Sequence, residues 1–216
     1  METEVFIVNI DQLNLNKIRD VASAITDGQI VAFPTDTIYG MGCDVFNEEA
    51  VKELYKIKGR PVNKPINVLI SSVDQVYDLA KNVKPLFFTL AEKFWPGALT
   101  IIVEKNSTVN DVVTSGQSTV GVRFPDNLIV QELINIAHTP LATTSANISE
   151  EPSATKAKEV LNYFNGKIPY IIDGGKVDIG QSSTIVDISS KPPRIVRQGA
   201  IPFAELKPNI RGLRKE

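Results

Sequence analysis

A short apolar run, residues 30–33 (IVAF), stops abruptly at the segment 34–40 (PTDTIYG), and this junction limits the folds open to the chain. Apolar, β-branched residues followed by proline and small polar side chains predict a buried strand that ends in a polar loop. The same pattern recurs at 143–147 (TTSAN). A plain strand-to-turn junction would explain either segment alone, but α/β proteins bind their ligands at such strand ends.

Segments with strand and helix patterns alternate along the rest of the chain. Strands are predicted at 5–8, 30–33, 66–70, 99–103, 120–124, 141–143, 170–172, 184–188 and 194–196. Helices are predicted at 18–25, 48–58, 73–80, 85–94, 128–137 and 156–164. The alternation predicts the α/β class, with a mixed, twisted sheet flanked by helices and antiparallel strands near the end. One domain is expected over 1–200 and a C-terminal tail over 201–216, frayed and solvated in its charged last residues.

Composition excludes several classes of protein. With 216 residues, 43% hydrophobic and 22% charged, the chain can bury a full core. A formal net charge of -2 argues against a protein that binds nucleic acid over its whole surface, although it does not exclude a local basic cleft. One cysteine and one histidine supply neither an internal disulfide nor a usual zinc site. Without a secretion signal or a membrane-length apolar run, a cytoplasmic protein is expected.

The common catalytic and nucleotide-binding motifs are absent. Gly40 and Gly42 lack the third glycine of a dinucleotide fingerprint, and no segment matches the phosphate-binding loop. A Ser-His-Asp hydrolase would depend on His138, which is more typical of a residue that ends the preceding helix. Cys43 has no nearby histidine in the sequence and is interpreted as a small buried apolar residue.

Cations and hydroxyl groups recur at the predicted boundaries of strands and helices. Each cation taken alone is more typical of a solvated surface charge. Together they predict a pocket with fixed positive charge and many small hydrogen-bonding groups, as polyphosphate and carboxylate ligands require. The cations are Lys58, Arg60, Lys64, Arg123 and Arg197, and the polar partners are Thr35, Thr37, Ser145, Asn147 and Ser183. The residues alone predict an anion-binding α/β enzyme.

Six motifs in order resemble those of the threonylcarbamoyl-AMP synthases, the YrdC-like family. The resemblance covers residues 18 to 200 and is to the short form without a second domain. The motifs are 34–40 (PTDTIYG), 58–61 (KGRP), 94–100 (FWPGALT), 120–125 (VGVRFP), 144–147 (TSAN) and 183–187 (STIVD). The family fold implies a large twisted sheet around a positively lined cavity.

The resemblance also implies a reaction and roles for residues. L-threonine, bicarbonate and ATP would give L-threonylcarbamoyl-adenylate and pyrophosphate, and a separate transfer complex would modify adenosine 37 of tRNAs that read codons beginning with A. Lys58 and Arg60 would be catalytic. ATP would be held by Lys58, Arg60, Thr119, Ser145, Asn147 and Arg197, and L-threonine by Thr35, Lys64, Arg123, Thr143 and Ser183. No metal site is expected among the side chains, since Mg²⁺ would be bound mainly through phosphate oxygens.

Three positions depart from the family pattern. Glu150 stands where glycine is common, Ser182 where glutamate commonly precedes the Ser-Thr-Ile triplet, and Gln198 where proline often follows the arginine.

Two other functions compete with the synthase. A non-catalytic module for double-stranded RNA would use the same basic concavity, against which the acidic balance argues, so tRNA contact is expected to be indirect or weak. A carbamoyl-transfer maturation factor for hydrogenases would need a longer, cysteine-rich chain.

Overall fold

One mixed sheet of eleven strands organises the computed structural model, which describes residues 2–9, 15–177 and 179–215. The strands are β1 (Glu4–Ile7), β2 (Val31–Phe33), β3 (Gly40–Asp44), β4 (Asn67–Leu69), β5 (Leu99–Glu104), β6 (Thr119–Arg123), β7 (Leu141–Ser145), β8 (Tyr170–Asp173), β9 (Thr184–Asp187), β10 (Arg194–Arg197) and β11 (Arg214–Lys215). The helices are α1 (Leu15–Thr26), α2 (Glu48–Lys58), α3 (Val76–Leu79), α4 (Pro85–Phe94), α5 (Asp111–Thr114), α6 (Leu128–Ala137), α7 (Ala157–Phe164) and α8 (Phe203–Leu206), with single 3₁₀ turns at Val73–Gln75 and Lys207–Asn209. The predicted α/β class with a mixed sheet flanked by helices is confirmed.

Capping residues set the ends of the predicted helices. The Asn47 side chain accepts a hydrogen bond from the N–H of Ala50 at 3.1 Å and so caps the first turn of α2. Gly59 ends this helix at a φ of 64°, where the left-handed backbone favours glycine. His138 ends α6 at a φ of 53°, in agreement with the prediction that it serves the helix terminus.

The strand order is β1-β8-β2-β3-β7-β4-β6-β5-β9-β10-β11. β3 was not predicted, because glycine at alternate positions removes the β-branched pattern of a strand. It pairs antiparallel with β2, so the segment 34–39 is the loop of a hairpin. β5 and β6 are also antiparallel, and the polar loop predicted between them contains the short helix α5.

The two faces of the sheet carry different chemistry. The face of Met41, Val68 and Val122 packs against α2, α3, α4 and α7 in the larger hydrophobic core. Cys43 lies in that core as a fully buried residue, as predicted, and burial raises the pKa of its thiol to about 12. The other face packs against α1 and α6 through Val31, Phe33, Leu69 and Leu141. Beyond those two helices this second face carries polar residues, Thr143 and Arg123 among them.

The segment between β8 and β9 is short for the distance that a flat sheet would demand. β8 is the second strand and β9 the ninth, so at about 4.8 Å per strand a flat sheet would separate them by about 34 Å. The eleven residue steps from Asp173 to Thr184 reach at most about 40 Å when fully extended. Gly175 and Gly180 have φ values of 85° and 65°, so the segment is not fully extended. A curved sheet, in which the two strands lie closer together, fits this segment better than a flat one.

The charged last residues were predicted to be frayed and solvated; Arg214 and Lys215 are exposed as expected, but the segment is ordered and not frayed. β11 pairs in parallel with β10, and Leu206, Ile210 and Leu213 are buried in the larger core. Three apolar residues at spacings of four and three supply a buried face, which the surrounding charges conceal in the sequence. The boundary drawn at residue 200 stays a prediction. Within the described ranges, every helix is too short or too polar to cross a membrane.

Candidate active site

An open cavity of about 110 Å³ lies on the polar part of the second face. Strand ends and the loops that follow them supply its wall, as expected for ligand sites of α/β proteins. The lining residues are Thr35, Thr37, Ile38, Tyr39, Gly40, Arg60, Pro65, Ile66, Asn67, Leu69, Thr100, Arg123, Thr143, Thr144, Ser145, Ser182, Ser183 and Arg197. This set contains three arginines and neither aspartate nor glutamate. The positive potential predicted for the cavity stays a prediction.

The hairpin loop 34–39 is fixed by the hydroxyl group of Thr35. This hydroxyl donates to the carbonyl oxygen of Ile38 at 2.7 Å and accepts from the N–H of Thr37 at 3.2 Å. The side-chain oxygens of Thr35 and Thr37 lie 2.9 Å apart. Small polar residues thus fold the loop on itself through side-chain to backbone bonds and hold both hydroxyls at the cavity.

Arg123 is the last residue of β6 and is buried beneath the hairpin loop. Its Nε donates to the carbonyl oxygen of Gly97 and its Nη1 to Thr37 Oγ1, both at 2.9 Å. Its Nη2 forms an ion pair with the carboxylate of Asp36. Burial lowers the pKa of this guanidinium and Asp36 opposes the shift. Two of its five N–H groups remain for a ligand.

Arg197 closes the cavity from β10 and holds Ser183 in place. Its Nη2 donates to the carbonyl oxygen of Ser183 at 2.9 Å and to the hydroxyl at 3.2 Å. The Ser183 hydroxyl also lies 2.8 Å from that of Thr100 on β5. The residue is exposed as a whole, but protein atoms surround its guanidinium, and this burial lowers its pKa, helped by the charges of Arg123 and Arg60. Arg197 therefore lies close enough to Arg60 and Arg123 to be repelled by both.

Arg60 follows α2 and lies against the next turn of backbone. Its Nε donates to the carbonyl oxygen of Lys64 at 2.9 Å and its Nη2 to that of Pro65 at 2.7 Å. Tyr55 also donates its hydroxyl to Lys64, at 3.0 Å. The side chain of Lys64 is exposed and lies outside the cavity lining. Neutral carbonyl groups hold Arg60, and no carboxylate among the described residues forms an ion pair with it.

Lys58 lies behind the cavity wall and contacts the end of β7. Its Nζ donates to Ser145 at the carbonyl oxygen (2.6 Å) and hydroxyl (3.2 Å), and to Asn147 at the carbonyl oxygen (2.9 Å) and Oδ1 (3.0 Å). The residue is 2% exposed. Burial, with the charge of Arg60 second, lowers the pKa of Lys58 to about 7. Since Ser145 accepts from Lys58, its own hydroxyl proton is free to point into the cavity.

Asn147 fixes the turn that follows Ser145. Its Nδ2 donates to the carbonyl oxygens of Ile148 at 2.9 Å and Glu151 at 2.6 Å, while its Oδ1 accepts from Lys58. The N–H of Glu151 closes the same turn on Ile148 at 3.1 Å. Glu150 occupies its third position at a φ of 75°. A left-handed conformation there favours glycine, the residue common in the family at this departure.

The structure brings together most of the residues predicted for the site. Seven line the cavity, namely Thr35, Arg60, Arg123, Thr143, Ser145, Ser183 and Arg197. Lys58 and Asn147 support the wall from behind, and Lys64 is exposed and lies outside the lining. Thr119 begins β6 at the end remote from Arg123, about 13 Å along the strand. The ligand roles assigned to all eleven stay predictions.

Three polar residues of the lining were missed as site residues, namely Thr100, Thr144 and Ser182, and Asn67 was expected only as part of the segment 64–67 close to the threonine site. Thr100 and Asn67 lie in strands of otherwise apolar pattern, and a polar residue within such a strand is the signal that could have found them. Thr144 immediately precedes the predicted Ser145. Ser182 was noted only as a departure from the family pattern.

Comparisons with known proteins give consistent results. The family model Sua5_yciO_yrdC, described as "Telomere recombination", matches residues 23–199. A threonylcarbamoyl-AMP synthase of Pyrococcus abyssi is 42% identical over 209 residues, which is 96% of this chain and 62% of the relative. A putative threonylcarbamoyl-AMP synthase of Methanocaldococcus jannaschii is 36% identical over 93% of this chain and 96% of its own length.

Solved structures share the fold. P. abyssi Sua5 complexed with L-threonine has a TM-score of 0.97 and 41% identity, covering 99% of this chain and 63% of the other. Escherichia coli YciO has a TM-score of 0.86 at 21% identity, over 96% of this chain and all of its own, and shows likeness of fold alone. The chain thus spans less than two thirds of the P. abyssi relative.

Proposed function

Because the chain belongs to the Sua5, YciO and YrdC family, we propose that it is an L-threonylcarbamoyladenylate synthase, an ATP-dependent nucleotidyltransferase. The carrying observation is the convergence of Arg60, Arg123 and Arg197 on one cavity whose described lining holds no carboxylate. Three cations held close together despite their repulsion are the arrangement that anionic substrates need. The relatives named as threonylcarbamoyl-AMP synthases support this reading over a non-catalytic RNA-binding module.

The reaction joins three substrates, two of them anions. The threonine amine attacks the carbon of bicarbonate, a C–N bond forms, and hydroxide leaves as water with a proton from the amine. A carbamate oxygen then attacks the α-phosphorus of ATP, and the bond between the α- and β-phosphates breaks to release pyrophosphate. Fixed cations make the approach of two anions favourable. With the lone histidine at the end of α6, positioning and charge neutralisation supply the catalysis.

The residues divide between the two larger substrates. Arg60, Arg197 and Ser145 would contact ATP, supported from behind by Lys58 and Asn147, with Thr119 farther along β6. Thr35, Arg123, Thr143 and Ser183 would hold L-threonine, its carboxylate on the free N–H groups of Arg123. Lys64 would reach the threonine side only by turning its exposed side chain inward. Arg60 is the catalytic cation in direct contact, whereas Lys58 acts through Ser145.

Mg²⁺ would enter as the counter-ion of ATP. The described residues contain no group of three or more His, Cys, Asp or Glu side chains that could hold a metal ion. Phosphate oxygens of ATP would supply the ligands instead, since Mg²⁺ commonly binds through substrate phosphates and water. Bound there, the ion would neutralise charge on the leaving pyrophosphate.

The product would leave for a second reaction elsewhere. An acyl adenylate can diffuse to a separate transfer complex, which would place the threonylcarbamoyl group on adenosine 37 of tRNA. We propose a cytoplasmic location for this step, because tRNA modification requires the two activities to meet there. The tRNA itself would contact this chain weakly or not at all.

The deciding experiment measures pyrophosphate release from ATP by the purified chain. Release is expected only when L-threonine and bicarbonate are both present, and omission of either one should reduce it to background. The Arg60→Ala variant serves as the control for a contaminating ATPase, since it should lose the release. Release that does not require threonine, or salt-dependent tRNA binding without any release, would contradict the synthase.

A further inference from the structure

Asn67 presents an unused amide to the cavity. It is the first residue of β4 and lies in register between Thr143 of β7 and Gly121 of β6. Register partners on neighbouring strands point to the same face of a sheet. Asn67 therefore shares the polar face with Thr143 and lines the cavity. Its side-chain amide makes no hydrogen bond with any of the described residues, and none of its polar atoms is both buried and unpaired.

Gly121 leaves room for this amide. A β-carbon placed on Gly121 would lie 2.6 Å from Asn67 Oδ1 and 3.2 Å from Thr100 Cγ2. The first distance is too short for real atoms, so the amide lies directly over the glycine. Between Asn67 and Thr100 the floor of the cavity is bare backbone. A small planar group can approach a glycine floor closely, whereas a larger side chain would fill that space.

The other polar groups nearby already have partners. The Thr143 hydroxyl donates to the carbonyl oxygen of Leu141 at 3.0 Å, and that of Thr100 lies 2.8 Å from Ser183. Arg60 is bound to the carbonyl oxygens of Lys64 and Pro65, immediately before β4. Asn67 thus stands between Arg60 on the proposed ATP side and Thr143 on the proposed threonine side. A group that must meet both substrates belongs at that junction.

We propose that Asn67 holds the one-carbon substrate, bicarbonate, and then the carbamate made from it. This inference rests on the proposed synthase function. The amide matches bicarbonate in two hydrogen bonds: Nδ2 donates to an anionic oxygen, and Oδ1 accepts from the bicarbonate hydroxyl. After the amine displaces that hydroxyl as water, the N–H of the carbamate can donate to the same Oδ1. Asn67 therefore keeps one contact pattern on both sides of C–N bond formation.

The test compares Michaelis constants in pyrophosphate release, with bicarbonate varied in carbon dioxide-depleted buffer. Asn67→Ala should raise the KM for bicarbonate at least tenfold, because it removes a hydrogen bond to a charged ligand, and leave those for ATP and threonine within twofold. Asn67→Asp keeps the shape but replaces the donor by an anion. It should lower kcat/KM for bicarbonate about a hundredfold. Asn135→Ala makes the same change on exposed α6 and should match wild type.

Each outcome bears on a distinct claim. A bicarbonate KM within twofold of wild type in Asn67→Ala overturns the assignment. A parallel rise of all three Michaelis constants with a lower melting temperature also overturns it, because that pattern marks a structural role. Pyrophosphate release by the wild type that does not depend on bicarbonate would overturn the synthase function itself. The variants should fold, since Asn67 makes no hydrogen bond to the described residues.

Discussion

Neutral oxygens hold most of the charged side chains of the site. Lys58 contacts two carbonyl groups, a hydroxyl and a side-chain amide, and Arg60 and Arg197 contact backbone carbonyl oxygens. Arg123 differs, because Asp36 compensates its charge. Carbonyl dipoles orient a cation without cancelling it, so the charge stays available to an anionic ligand.

Replacement by alanine should have different effects at Lys58 and Arg60, mainly on stability at the first and mainly on catalysis at the second. Lys58→Ala leaves buried oxygens of Ser145 and Asn147 without their donor, so the free energy of unfolding should fall by about 2 to 4 kcal/mol. Arg60→Ala should keep the wild-type stability within about 1 kcal/mol and lose about 2 to 4 kcal/mol of transition-state stabilisation. Urea denaturation and steady-state kinetics measure the two effects. Wild-type stability of Lys58→Ala would mean that its four contacts contribute nothing.

The lowered pKa of Lys58 predicts a pH dependence of stability. Between about pH 7 and the ordinary lysine value of 10.5, the unfolded chain binds a proton at this position that the folded chain has lost. Stability therefore rises with pH through that window, by up to about 1.4 kcal/mol per pH unit from this residue. The measurement is the difference in unfolding free energy between wild type and Lys58→Met from pH 6 to 10. A difference that stays flat would show that Lys58 remains protonated.

Sequence reasoning located the charges of the site more reliably than the direction in which they point. Arg60, Arg123 and Arg197 lie where the motifs placed them, at boundaries marked by proline or glycine. The inward turn of Lys58 could not be predicted, because it depends on oxygens 87 and 89 residues away in the sequence. Asn67 was predicted only as part of the segment 64–67 close to the threonine site, because its position over Gly121 depends on strand pairing that a linear pattern does not reveal.

Among the structural elements, the turn after β7 contains a strained residue. Glu150 has a φ of 75°, and a side chain in this region costs about 1 kcal/mol. Glu150→Gly should therefore raise the free energy of unfolding by about 0.5 to 1 kcal/mol. Thermal or urea unfolding checks this, with Glu150→Gln as the control for charge. Glu151→Gly is the matched control and should lower stability, because Glu151 does not have a positive φ.

The last strand provides a test of how firmly the C-terminus is packed. Leu213 is 8% exposed and belongs to the core, whereas the neighbouring Lys215 is exposed. Leu213→Ala should lower the free energy of unfolding by about 2 to 3 kcal/mol. Lys215→Ala should change it by less than about 0.5 kcal/mol. If both variants had equal, small effects on the free energy of unfolding in urea denaturation, the prediction of a solvated tail would be supported instead.

Most elements were predictable, and the four that were missed share a cause. β3 contains two glycines, α5 and α8 have a single turn each, and β11 has two charged residues. None of these carries a hydrophobic period of its own, so each depends on pairing or packing with distant parts of the chain. The hairpin of β2 and β3 was hidden for the same reason, although the polar loop at its tip was the first feature recognised.

At the scale of the whole molecule, charge is unevenly distributed. Residues 191–216 contain seven lysines and arginines against two glutamates, whereas residues 1–190 contain 16 basic and 23 acidic residues. The basic segment forms the edge of the sheet at β10 and β11. The larger acidic part should repel a polyanion from most other approaches.

The effect of tRNA on the reaction should consequently be small. A freely transferable adenylate needs no nucleic acid for its formation, so tRNA should change neither the rate of pyrophosphate release nor the affinity for threonine by more than about twofold, or roughly 0.4 kcal/mol. Steady-state assays at low salt, with and without tRNA, measure this. A tenfold stimulation would mean that RNA contacts the working site.

The distance between β8 and β9 sets a lower limit on the length of the segment that joins them. Surface loops usually accept insertions and deletions alike. This one crosses seven strand positions with eleven residue steps, so the removal of two residues would shorten its reach by about 7 Å. Either the curvature of the sheet or the pairing of β9 would have to change. In an alignment of related chains, this segment should therefore show insertions relative to the present chain but no deletions.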